Sequence, residues 1–175
     1  MHSFDSLINL GTSFTLKALD ELNAESIETL QTSARTSEVK KLQMIQLQKV
    51  VMAIGMFSLF ESILQQRLSC KNGFDKAKEI LKTAKKHQLL NRFKTFYLAI
   101  NVLKHGKGQS YNELMKQADS LPFQIKNRNH DFFNEGNIDE VSTFIEVDNQ
   151  FVLNCADLVE QVSKELRENH EIQSV

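Results

Sequence analysis

The sequence predicts an all-α fold, a helical bundle of about five or six helices built around one long central helix. Three observations carry that expectation. The 175 residues include one proline, Pro122, and only six glycines, and bundles need few breakers. Apolar residues recur three and four apart along most of the chain, the helical period. The segment that opens at "RTSEVKKLQ" then runs to about Cys70 with no turn signal inside it. With 41% hydrophobic and 25% charged residues, the composition is that of a globular protein. A chain of this length buries a sufficient core without disulfides or a structural metal. One domain, residues 1–175, is expected, with an N-terminal helical region over 1–36 and the main helical core over 37–170.

Taken in order, Phe14, Leu19, Leu22, Ile27 and Leu30 predict a first helix over about Ser13 to Ser33, bent near Asn23. Ser37 is the expected N-cap of the long helix, and Gly73 in "KNG" the signal that ends it. Within it, "VVMAIGMFSLF" is apolar all the way round, so this helix is either central or shared with a second subunit. Burying each of Ile54, Phe57, Phe60 and Ile63 is worth about 1.5–3 kcal/mol, which makes the helix the organiser of the core. Glu61 belongs at the edge of that stripe.

"FDKAKEILKTAKKHQ" reads as a short amphipathic helix with Ala77, Ile80, Leu81 and Ala84 inside, and His87 as a cation at its end. From about Leu89 the pattern restarts through Phe93, Phe96, Tyr97, Ile100 and Leu103. A short helix with Tyr111, Leu114 and Met115 follows. The stretch from Ser120 to Val141 is irregular, and in it "NRNHDFF" reads either as a loop with two buried phenylalanines or as a basic and aromatic contact to RNA. "STFIEV" is a short extended piece. Asp148 then caps a last helix carrying Phe151, Val152, Cys155, Leu158, Val159, Val162 and Leu166 inside.

Cys70 and Cys155 have no paired spacing and read as reduced thiols, and the acidic start "MHSFDSLINL" has no signal-peptide form. The longest unbroken apolar run, Val50 to Phe57, is far shorter than the ~18–20 residues of a membrane span. A cytoplasmic protein without membrane contact is expected. Charge is unevenly spread: ten Lys or Arg against two acids between Lys71 and Lys107, and eleven acids against two cations between Asp131 and Glu171. The two segments either neutralise each other or leave the basic one to attract phosphate.

The stretch "FYLAINVLKHGKGQSYNEL" gathers the candidate site. Gly106 fits the left-handed position that ends a helix, Lys104 and His105 are suitable last-turn cations, and "SYNE" from Ser110 to Glu113 has the form of a capping box. None of that accounts for Asn101. Tyr97, Asn101 and His105 lie four apart and form one line along the flank of the apolar stripe. Asn101 either hydrogen-bonds within the core or helps to build a polar pocket with Lys104, His105 and the loop amides around Gly106 and Gly108. Lys107, Ser110 and Tyr111 complete the candidate ligand-binding set.

Other chemistries are excluded on spacing. "GKG" is no phosphate loop, because Asn101 stands where glycine is required and Gly108 where Ser or Thr is. It is no dinucleotide fingerprint either, since Tyr111 takes the third glycine position and a helix, not a strand, precedes it. The five histidines show no metal-ligand spacing, no GxSxG elbow exists, and no metal or cofactor is expected.

"INVLKHG", placed after an aromatic-rich helix and a long helix with "LFESIL", resembles the HEPN superfamily of small α-helical proteins. That resemblance implies an HEPN-like core over 37–170 and a homodimer. It implies a metal-independent endoribonuclease of the kind found in bacterial toxins and phage defence. In that family an arginine, a polar residue and, a few residues on, a histidine stand at a helix end. The histidine is the general acid/base for attack by the RNA 2′-hydroxyl, and the arginine steadies the phosphate. Asn101 and His105 match the polar residue and the histidine; Ile100 occupies the arginine's place, and Arg92 lies too far back on the helix to replace it. The expectation is therefore an RNA- or phosphate-ligand-binding protein, dimeric through the long helix, with ribonuclease activity weak or lost. The alternative is a non-catalytic dimeric adaptor or neutralising partner of another protein, in which the motif is helix punctuation only.

Overall fold

The computed structural model describes residues 3–33, 35–126 and 141–169. Over these the chain forms six α-helices: α1 (Phe4–Thr32), α2 (Thr36–Arg67), α3 (Gly73–Thr83), α4 (His87–His105), α5 (Gln109–Met115) and α6 (Asn149–Asn169), with a 3-10 turn at Ala118–Ser120. "STFIEV" is extended as its pattern suggests. Ile145 faces Ile125 in an antiparallel bridge, with Lys126 N–H on Phe144 O (2.9 Å) and Glu146 N–H on Gln124 O (3.0 Å). "NRNHDFF" lies outside the described residues.

At 32 residues α2 spans about 48 Å and is the axis of the bundle. It packs against α1, α3, α4 and α6. Phe57 and Phe60 (each 1% exposed) stack and edge against Phe74 of α3 and Phe93 of α4 at centroid distances of 5.9–6.4 Å, and Phe74 edges Phe93 at 5.3 Å. Such ring pairs stabilise beyond the area they bury. Ile54 and Ile63, expected beside them, are only half-buried at the margin. A second aromatic group joins Phe96, Phe123 and Phe151 between α4 and α6. On α6 every residue that the period assigns inward is buried, and Asp148 caps the helix by accepting from Phe151 N–H at 2.7 Å.

The first helix starts at Phe4, nine residues before Ser13. Asp5 holds that early start, because its carboxylate takes both guanidinium nitrogens of Arg167 at the end of α6 (3.1 and 2.9 Å). A negative side chain in a first helical turn also suits the helix dipole. Asn9 with Glu160 and Asn149 with Asp20 continue the contact, so α1 and α6 run antiparallel. The hydroxyl of Thr12 on Met56 Sδ (3.4 Å) and the hydrogen bond of Ser26 with Glu38 set α1 antiparallel to α2 as well.

Several boundaries differ from the sequence reading. Ser37 is not the cap of α2, which begins at Thr36 after Arg35. Gly73 does not stop α2. The helix ends in a Schellman turn with Ser69 at φ 47°, where Cys70 N–H reaches Gln65 O. Gly73 instead opens α3, behind the side chain of Asn72, which accepts from Asp75 N–H. It is glycine because a Cβ there would lie 2.7 Å from Leu64 Cβ and 2.8 Å from Glu61 O. α3 ends in the same way, with Lys85 at φ 58°, so His87 is the first residue of α4 and not the last of α3.

The apolar girth of α2 is not fully buried. Met44, Leu47, Val51 and Leu59 are each more than half exposed on its outer side. Beside them on α1, Leu7, Leu10 and Phe14 are exposed as well, Phe14 to 78%. Among the described residues, α2 is also the one helix long and apolar enough to cross a bilayer by length and composition; its Ala53, Phe57 and Phe60 lie inside the bundle.

Candidate functional site

The site residues sit at the C-terminal end of α4 and in the loop that follows. α4 is anchored by Phe93, Phe96, Ala99, Ile100 and Val102, all buried. That registration turns its opposite face outward. Lys94, Asn101 and His105 then share one line, because positions seven and eleven apart return to the same side of a helix, and Lys104 flanks it. Lys94, Lys104 and His105 are exposed and Asn101 is half-buried. The motif in the sequence does not reach back to Lys94; its spacing of seven before Asn101 is the signal that places it.

Ile100 is 3% exposed, within the core between α4 and its neighbours. The position that would carry the family's arginine therefore points inward. Arg92, two turns earlier, is committed elsewhere: it forks onto Asp157 (2.6 Å) and Asn154 of α6, and lies 5.9 Å from the Phe96 ring centre. Asn101 makes no side-chain hydrogen bond with the described residues.

Gly106 ends α4 as expected, its N–H on Val102 O at 2.8 Å, but not in the left-handed helical conformation. Its φ of 71° with ψ of −144° is an extended, essentially glycine-only region. The capping box does not form. α5 begins at Gln109 behind Gly108, whose backbone is extended, and Ser110 lies inside the helix. Glu113 accepts instead from Gln109 Nε2, one turn away (2.9 Å). Tyr111 leaves the ligand set: it is fully buried, its hydroxyl donates to Lys126 O (2.8 Å), and its ring edges Phe144 at 5.4 Å. It positions the loop, tying α5 to the extended strip. Lys107 projects over the Phe144 ring at 5.0 Å, which gives its flexible stem a fixed seat while leaving the residue exposed.

The basic segment is partly neutralised. Lys76 pairs with Glu79, Lys78 with Asp75, Lys86 with Glu165 and Arg92 with Asp157. The last two are bonds to the acidic α6, the internal neutralisation that the charge distribution allowed. The Glu165 carboxylate holds the Lys86 ammonium above its ordinary pKa. Lys78 also lies 4.1 Å over Tyr97, at the foot of the α4 line. Lys94, Lys104 and Lys107 have no ion pair with any described residue. Among the described residues no three His, Cys, Asp or Glu side chains converge as metal ligands. Chemically, the arrangement offers a strip of cations, one amide and one imidazole to an extended anion. No family model, curated protein or solved structure matches the chain.

Proposed function

We propose that the chain is an HEPN-like RNA-binding protein in which the outer line of α4 and the loop after it hold the phosphate backbone, with nuclease chemistry weak or lost. The observation that carries this reading is the set Lys94, Asn101, Lys104, His105 and Lys107. Three cations, an amide and an imidazole lie along one face, and no described residue gives them an ion pair or a side-chain hydrogen bond. Phosphate neutralisation by such cations makes binding strongly salt-dependent. In this reading His105 would transfer the proton, but Ile100 faces the core and Arg92 is bound to Asp157. Lysines nearby are point charges without the forked donors that clamp a phosphate in its transition state.

The test incubates the purified chain and its His105→Ala variant with a mixed RNA pool in EDTA, reading retention and cleavage together. Retention that falls steeply with salt and no cleavage is the expected result. Cleavage that disappears in His105→Ala would make the protein an active nuclease. No retention at moderate ionic strength would remove the reading and leave the second, a non-catalytic dimeric adaptor. That second reading is favoured by the exposed apolar residues of α1 and α2.

A further inference from the structure

An aromatic ring stands where the cation strip ends. Phe144 reaches the loop after α4 from the extended strip. A Cβ on Gly106, the residue after His105, would lie 3.8 Å from Phe144 Cε2, so ring and loop are at contact distance. The ring is held in place from behind. Its own carbonyl accepts from Lys126 N–H (2.9 Å), and the next residue, Ile145, is fully buried. The buried Tyr111 ring edges it at 5.4 Å and 63°. Over the ring lies Lys107, its ammonium 5.0 Å from the ring centre. Lys107 is exposed and Phe144 only half-buried, so the cation lies on the solvent side.

That cation is a weak occupant. A cation over an exposed ring adds about two- to fivefold to an equilibrium, whereas a base stacked on the ring adds about five- to a hundredfold. A phosphate beside the ring would also draw the Lys107 ammonium to itself. We propose that Phe144 is a stacking platform for one unpaired nucleobase, uncovered when Lys107 turns to the adjoining phosphate, so that the ligand is single-stranded RNA. The inference rests on the RNA reading above and narrows it. Lys94, Lys104 and Lys107 by themselves would hold single strands and duplexes alike, through charge. Bases in a duplex are paired and stacked on one another and have no free face to offer. A basic strip ending in an aromatic ring is the combination that holds single strands. Tyr111 does not share the task, because it is fully buried and its hydroxyl is committed to Lys126 O.

Fluorescence anisotropy with labelled oligomers of about twelve nucleotides is the test. The probes are a mixed-sequence RNA single strand, the same strand annealed to its complement, and an abasic phosphodiester backbone of equal length. The unmodified chain is expected to bind the single strand about five- to a hundredfold more tightly than the abasic backbone, and more tightly than the duplex. Phe144→Leu is expected to remove that preference while abasic affinity and its salt dependence stay as they were. Phe144→Tyr is expected to keep it. Lys107→Ala should weaken abasic binding and lower the logarithmic salt slope by about one, with the preference for bases kept or widened. Equal binding of single strand and abasic backbone overturns the proposal and leaves the phosphate reading in place. A duplex bound as tightly as the single strand does the same, as does a preference that survives Phe144→Leu or disappears in Lys107→Ala. Should Phe144→Leu lose abasic binding as well, the loop has moved and Lys107→Ala alone decides. A chain that binds none of the probes overturns both readings.

Discussion

Ser69 and Lys85 hold left-handed backbone positions that glycine usually takes, while Gly73 serves close packing and opens a helix. A side chain in that conformation costs about 1–2 kcal/mol, partly offset by the freedom glycine has when unfolded. Lys85→Gly is therefore expected to stabilise the protein by roughly 0.5–1 kcal/mol, read as a raised urea midpoint. Gly106→Ala acts in the opposite direction. An added Cβ meets only Phe144 Cε2 at 3.8 Å, an ordinary approach, so the destabilisation of about 1–2 kcal/mol comes from backbone strain alone. Gly73→Ala is disfavoured by crowding instead, because the carbonyl of Glu61 cannot give way as a flexible side chain could. Residue identity announced that these glycines matter, but not which of three roles each plays. The role depends on what packs against the residue, and that is decided by distant parts of the chain.

At the scale of elements, α6 was legible almost to the residue, since α1, α2, α3 and α4 all pack against it and its cap is an aspartate just ahead of the apolar pattern. α1 was not. Its apolar residues divide between an inner set, Leu16 and Leu19, and an outer set that no part of the described chain covers, so the period looked broken. On α4 the same period was clear, and it fixes which residues turn outward. Lys94→Glu and Lys104→Glu, made singly, are expected to weaken RNA retention and flatten its salt dependence, the logarithmic slope falling by about one for each phosphate left without its cation. Lys76→Glu, already paired with Glu79, is expected to change retention less. Truncating the axis of the core is a different matter: Phe57→Ala should lower stability by about 3–5 kcal/mol, measured by chemical denaturation.

For the whole molecule, the all-α class and the central helix were readable in the sequence because both rest on periodicity, whereas the closure of α1 onto α6 rests on a long-range ion pair that no local pattern announces. Burial alone would raise the Asp5 carboxyl, but the Arg167 fork outweighs it and holds the group below its ordinary 3.8. A carboxyl depressed on folding stabilises above its unfolded pKa, and that contribution disappears as pH falls through the folded value. Urea midpoints of the unmodified chain should therefore drop as the solution is taken below about pH 4. Asp5→Asn should be less stable by about 1–2 kcal/mol at neutral pH and show a shallower acid decline. The two cysteines were expected to be unpaired, and both are free: Cys70 half-exposed near a turn, Cys155 wholly enclosed in α6 with its thiol pushed far up by burial. This makes the protein its own clock for opening. A thiol reagent should label Cys70 at once and Cys155 only in the moments when α6 lifts away, so the ratio of the two labelling rates measures how seldom the bundle breathes.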